Sequence, residues 1–241
     1  MIALRSLLFS IVFFGGTFCL TIAGSVVALF APTRLYPFAV AWARLGLWSA
    51  RVLCGIEVKV SGWENLPPGP ALIASRHQSA FDTMVWFTLL PKCCYVMKHE
   101  LLRIPLMGRL MSGSGMISVD RDGGAKTIRF LIKEGKRVAE EGKQIVIFPE
   151  GTRAEPGAML PLQPGVAALA AGTGLPVVPV LTDSGLRWGR RAFHKYPGVI
   201  HIAIRPAIAP CLKREALMQR LRQELESEIP SARNPVDNSV G

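Results

Sequence analysis

The chain opens on apolar residues with no polar spacing. Residues 6–32 read "SLLFSIVFFGGTFCLTIAGSVVALFAP" and include no charged side chain. As a helix, a run of that length can cross the hydrocarbon core of a bilayer. A cleaved signal peptide would have a shorter apolar core and a small-residue cleavage site. "ALFAPTRL" makes a poor one, so the run reads as an uncleaved anchor. The next stretch, "TRLYPFAVAWARLGLWSARVLCGI", stays apolar but carries Arg34, Arg44 and Arg51. Arg44 and Arg51 are seven positions apart and share one helix face. That predicts an amphipathic second helix, lying in the membrane interface or returning through it.

From about residue 57 the pattern becomes an alternation of short apolar runs and longer amphipathic ones. "EVKVSG", "ALIASR", "CCYVMK", "GMISVDR", "QIVIF", "LPVVPVL" and "GVIHIAIRPAI" read as strands. "QIVIF" is apolar almost throughout, as a buried central strand should be. Between them "AFDTMVWFTLL", the Pro-interrupted "LLRIPLMGRLM", "GAKTIRFLIKEGKRVAEEG", "GVAALAAGTG" and "KREALMQRLRQELESEI" read as helices. This order predicts an α/β fold: a largely parallel central sheet with helices on both faces, preceded by an N-terminal membrane-associated helix pair. The expected division is 1–55 for the membrane-anchoring pair, 56–230 for the α/β domain and 231–241 for a flexible tail. Deleting residues 1–55 is expected to leave a more soluble protein.

Composition adds a compartment and a class of partner. Half the residues are apolar, and Lys and Arg outnumber Asp and Glu 28 to 17, for a formal charge of +11. A basic, apolar chain suits an anionic bilayer surface, an anionic substrate or nucleic acid. No nucleic-acid motif is recognisable, so no nucleic-acid partner is expected. Only Arg5 precedes the first apolar run and the other basic residues follow it. The positive-inside rule therefore places the main domain on the cytoplasmic side of the inner membrane. None of the five cysteines falls in a CxxC or zinc-ribbon spacing. They read as free thiols, and no metal site is expected.

Three polar clusters follow predicted strands: "RHQSAFD", "DRDGG" and "PEGTR". Ligands of open α/β sheets gather at such strand ends. His77 and Asp82 are five positions apart. On a single helix they would point about 140° apart. With His77 on the loop and Asp82 in the first helical turn, the imidazole can fold back onto the carboxylate. One ring nitrogen would be held and the other left to take a proton. The pattern Ser79-Ala80-Phe81-Asp82 also fits a loose capping box, in which Asp82 only serves the helix start. Spacing alone leaves both open. In "FPEGTR", Gly151 lets backbone approach a ligand, and Arg153 offers a planar fork of donors suited to phosphate. Arg153 pairing with Glu150 or Glu155, merely to shape the turn, is the alternative.

Together these pieces resemble a known family. "HQSAFD" is similar to the HxxxxD motif of the glycerolipid acyltransferases, and "KHELLRIPLMGRLMSGSGMISVDR" resembles their second block. "FPEGTR" matches the third in full and "LPVVPV" resembles the fourth, in the same order, over about residues 60–208. "DRDGG" departs from many members after its first two residues. The resemblance implies acyl transfer from an acyl thioester to the 2-hydroxyl of lysophosphatidic acid. His77 would be the general base and Asp82 its orienter, with no acyl-enzyme and backbone N–H groups after Ser79 steadying the oxyanion. Lys98, Arg121 and Arg153 would bind the acceptor phosphate. Gly151 would let the backbone approach, and Glu150 and Thr152 would fix the loop.

No cofactor is implied beyond acyl-CoA or acyl-ACP as co-substrate. The implied partners are the membrane lipid substrate, the anionic bilayer surface and acyl carrier protein. Another lyso-lipid acceptor, such as lyso-ornithine lipid, would leave the dyad unchanged. A membrane-bound binding module without catalysis is permitted by charge but leaves His77 and Asp82 unused. His99, His194 and His201 receive no role, and the basic run "RWGRRAFHK" reads equally as a solvated loop or a contact for headgroups or donor phosphates.

Overall fold

A computed structural model describes residues 1–120, 123–210 and 212–229. Helix α1 (Ile2–Phe30) is followed by α2 (Tyr36–Cys54). Gly55 ends α2 in the left-handed conformation, φ 68°, with its N–H on the Arg51 carbonyl. The chain then alternates: β1 (Ile56–Ser61), β2 (Leu72–Ser75), α3 (Asp82–Leu89), β3 (Cys93–Lys98), α4 (Met107–Gly113) and β4 (Ile117–Val119). It continues through α5 (Gly124–Glu140), β5 (Gln144–Ile147), α6 (Gly165–Thr173), β6 (Val177–Thr182), β7 (Gly198–Ile204) and α7 (Arg214–Glu226).

The strands form one seven-stranded sheet in the order β1-β7-β6-β2-β5-β3-β4. Every neighbouring pair is parallel except β6 and β7. The apolar runs of β2 and β5 are buried along their whole length, in the middle of the sheet. β1, at the edge, leaves part of its alternating pattern exposed. Helices cover both faces. Val146, Val178, Ile200 and Ile202 look toward α1, α2 and α3, while Leu72, Ile145, Val177 and Ile147 look toward α5, α6 and α7.

α1 is long and apolar enough to cross a membrane by length and composition. Its buried residues are Ser6, Phe9, Phe13, Thr21 and Gly24, a helical stripe laid on the rest of the protein. Leu4, Leu7, Ile11, Phe14 and Phe18 face outward. The helix pair is therefore no loose appendage. Phe9, Phe13, Ala43, Ala50 and Cys54 pack into the same core as Met84, Trp86 and the strand residues. Its removal would uncover one apolar face of the sheet, contrary to the expectation of a more soluble remainder. The neighbouring thiols of Cys93 and Cys94 are buried, and burial pushes each up to about 12, which leaves them unreactive near neutral pH.

Candidate active site

β2 and β5 pair in parallel with Ala74 level with Ile147. Three residues beyond each stand His77 and Glu150, so register alone brings the HQSAFD loop beside the EGTR turn. The His77 N–H donates to Glu150 Oε2 at 3.2 Å, and the Ala154 N–H donates to the His77 carbonyl at 2.7 Å. Phe148 lies almost flat against the imidazole, ring centroids 4.0 Å apart at 15°. Backbone on one side and an aromatic ring on the other hold His77 in one orientation.

Asp82 is the first residue of α3, and the loop before it folds back over its carboxylate. Oδ2 accepts the N–H groups of Gln78 at 2.7 Å and Ser79 at 2.8 Å, and faces His77 Nδ1 at 3.1 Å. Ser79 Oγ accepts the Phe81 N–H at 3.1 Å. The capping and orienting alternatives are thus one arrangement: the carboxylate that closes the helix start also holds the histidine. Asp82 is only 2% exposed, so these donors replace water around its charge. A carboxylate at Nδ1 favours the tautomer with hydrogen there and leaves Nε2 as an acceptor. Nε2 makes no hydrogen bond with a described residue, and His77 lines a cavity. Of the amides after Ser79 expected to steady the oxyanion, that of Phe81 already donates to Ser79 Oγ and is not free to receive one.

The cavity measures about 500 Å³. α1 and α2 supply Phe13, Leu20 and Phe38 to its apolar wall, and α4 supplies Met107, Leu110 and Met111. Lys98, at the end of β3, borders it, as do Gly151, Thr152 and Arg153. Gly151 has φ 72°, a conformation that favours glycine, which lets the turn bring Thr152 and Arg153 to the cavity. Arg153 is half-buried, and its guanidinium makes no hydrogen bond or ion pair with a described residue. Burial lowers its basicity while Asp82 opposes that effect. Glu150 behaves differently from its neighbours. It is 3% exposed, does not border the cavity, and pairs with Arg76 at 3.3 Å rather than with Arg153. Arg121 lies outside the described residues.

Sequence reasoning passed over Arg76. Its partner is 74 residues away, and no local spacing signals such a pair. Arg190 and Arg191, read only as part of a basic run, also border the cavity. A second histidine–carboxylate pair exists: His201 Nδ1 lies 2.9 Å from Asp183 Oδ2, and its N–H donates to Oδ1 at 2.7 Å. It borders neither this cavity nor the groove at the start of α1, so the cavity is what sets His77 apart.

A buried histidine held by a carboxylate, at the strand ends of an α/β sheet and facing an apolar cavity with cations at its mouth, is an arrangement suited to deprotonating a hydroxyl on an amphipathic substrate. A family profile described as Acyltransferase matches residues 57–183, which span β1 to just past β6 and contain both His77 and Arg153. The chain belongs to this acyltransferase family. Along 99% of its length this acyltransferase is 32% identical to the 1-acyl-sn-glycerol-3-phosphate acyltransferase of Pseudomonas aeruginosa, covering 95% of that protein. It is 33% identical over 143 residues to 1-acyl-sn-glycerol-3-phosphate acyltransferase alpha of Homo sapiens, 58% of this chain and 50% of that one. The crystal structure of the 1-acyl-sn-glycerophosphate (LPA) acyltransferase PlsC from Thermotoga maritima superposes with a TM-score of 0.73. It covers 94% of this chain and 95% of the other at 22% identity, so the fold extends to the helix pair.

Proposed function

We propose that this acyltransferase moves an acyl chain from a thioester donor to the 2-hydroxyl of lysophosphatidic acid, giving phosphatidic acid. The observation that carries the reading is the free Nε2 of His77 in a cavity with an apolar wall and cations at its mouth. A lysophospholipid has the matching parts: a hydrocarbon chain, a hydroxyl and a phosphate close to it. The similarity to the acyltransferases of Pseudomonas aeruginosa and Homo sapiens supports the same acceptor.

In this mechanism Nε2 takes the hydroxyl proton as the oxygen attacks the thioester carbonyl, and Asp82 stabilises the imidazolium. The tetrahedral intermediate collapses with loss of the thiolate, which receives the proton from His77. Arg153, with Lys98 and Arg121, holds the acceptor phosphate. Gly151 and Thr152 shape that turn, and Glu150 anchors it through Arg76. The donor is acyl-CoA or acyl carrier protein, and no other cofactor takes part.

The helix pair, residues 1–55, seats the enzyme on the membrane that holds its substrate, with the catalytic domain on the cytoplasmic side of the inner membrane. Support comes from the two-sided character of α1, apolar outward and packed inward, and from exposed Trp48 and Val52 beside Arg44 and Arg51 on α2. That pattern favours α1 lying in the interface with its inner face still on the domain.

The test is transfer of a radiolabelled acyl chain by the full-length protein to a panel of lyso-lipids that includes lyso-ornithine lipid. Lysophosphatidic acid should be the best acceptor, and His77→Ala should lower the transfer ~10²–10⁴-fold. A wild-type enzyme that prefers an acceptor without phosphate overturns the reading.

A further inference from the structure

Among the described residues the cavity is bordered by Lys98, Arg153, Arg190 and Arg191 and by no carboxylate. The acceptor brings a single phosphate monoester, whose charge is about −1.5 to −2 at neutral pH. Lys98 and Arg153 suffice to balance it. Arg190 and Arg191 are a surplus that the acceptor does not account for.

The surplus is built rather than incidental. Arg190 Nη1 donates to the Arg153 carbonyl at 3.3 Å, so its side chain reaches back over the turn. Arg191 sits at φ 55°, a region that side-chain-bearing residues seldom occupy, and its guanidinium has no hydrogen bond or ion pair with a described residue. The segment that carries them is fastened at both ends. The Trp188 N–H donates to the Ser184 carbonyl at 2.9 Å, and the Tyr196 N–H to the Arg187 carbonyl at 2.9 Å. Lys195, 6% exposed, donates its Nζ to the carbonyls of Ala192 and Phe193 and lies over the Phe9 ring of α1. Arg190 and Arg191 each disfavour the charge on Arg153. Like charges held together in this way are relieved by an anion.

The groups are also layered. His77 is buried, Arg153 is half-buried, and Arg190 and Arg191, like Lys98, are exposed. The reaction needs two phosphate-bearing substrates arranged in that order. The acceptor's phosphate is a few bonds from the reacting hydroxyl and belongs near His77. The donor's first phosphate is separated from its thioester by the whole pantetheine arm and belongs at the rim. We propose that Arg190 and Arg191 form a second phosphate-ester subsite, outside the acceptor's, that takes the phosphate of the donor's phosphopantetheine arm. This rests on the acyl-thioester reading above. It applies equally to a coenzyme A and to a carrier-protein donor, which share that arm.

A matched pair of donors tests it: acyl-4′-phosphopantetheine and acyl-pantetheine, which differ only in the phosphate. They are compared on full-length wild type and on Arg190→Gln/Arg191→Gln, each substrate varied in turn. With the phosphorylated donor, the double variant should lose roughly ten- to a hundredfold in donor kcat/KM, the worth of one or two charge-assisted hydrogen bonds. With acyl-pantetheine the ratio of variant to wild type should return toward one, and the acceptor constant should move far less than the donor's. Arg190→Lys/Arg191→Lys should recover part of the loss, which a folding defect would not.

Equal losses with both donors, a rise confined to the acceptor constant, or no loss at all would each overturn the proposal. Equilibrium binding of 4′-phosphopantetheine against pantetheine, with no acceptor present, reads the same subsite. It still decides the matter if lysophosphatidic acid proves not to be the acceptor.

Discussion

Asp82 illustrates how far a single carboxylate can be shared. It caps the loop amides of Gln78 and Ser79 and holds His77 through the same oxygen. Substitutions at the two residues should therefore separate. His77→Ala removes a base that typically contributes ~10²–10⁴-fold, and should lower turnover by that much with the fold intact. Asp82→Asn should lower turnover less, but it also weakens a cap and should cost about 1 kcal/mol in stability. Near wild-type turnover for His77→Ala would end the mechanism. Glu150 and Arg153 make a second contrast. Glu150→Ala strands the buried Arg76 guanidinium, and breaking a buried pair costs about 3–5 kcal/mol. A thermal melt in detergent should show a large fall. Arg153→Lys keeps charge and loses the fork, so the acceptor Michaelis constant should rise roughly ten- to a hundredfold with little change in the melt. If donor and acceptor constants shift alike, Arg153 does not read the phosphate.

The positions of these residues come from whole elements. The β2–β5 register sets His77 beside Glu150, and the ends of β2, β5 and β3 lie next to one another on the sheet. The alternation of apolar strands and amphipathic helices made those elements legible, down to the limits of β3 and the Pro105 break before α4. Packing between elements was not legible, because it depends on which residues meet. Gly46 of α2 is one such place. A Cβ there would lie 2.4 Å from Met84 Sδ and 2.9 Å from the Phe13 ring, so three helices meet at that glycine. Gly46→Val should overpack the site and cost about 1–3 kcal/mol, lowering the melting temperature by about 3–10 °C. Gly15→Ala on α1, where a Cβ meets nothing within 4 Å, is the matched control and should melt no lower than wild type. Equal melts for the two variants would show that α2 does not pack closely on α1 and α3.

At the scale of the whole molecule, the apolar helix pair and the candidate active site share a structure. α1 and α2 wall the cavity and fill one of the two cores. Deleting residues 1–55 should give protein that aggregates and lacks activity, because Met84, Trp86 and their neighbours lose their cover. A soluble, monomeric and active remainder would refute that packing. The full-length protein carries a formal +11 and should bind anionic vesicles more weakly as salt rises, while its apolar contribution persists. Vesicle co-sedimentation across a salt series separates the two contributions.

The sequence by itself determined the kinds of element, their order, the family motifs and the apolar start of the chain. Those depend on periodicity and on residues close together along the chain. Only the tertiary structure decided that Asp82 both caps and orients, that Glu150 answers to Arg76, and that α1 turns one face to the domain. It alone brings Arg190 and Arg191 to the cavity that holds His77. Each of these joins groups brought together by strand register, loop folding or helix packing. No local pattern of residue types records which distant partner a side chain will meet.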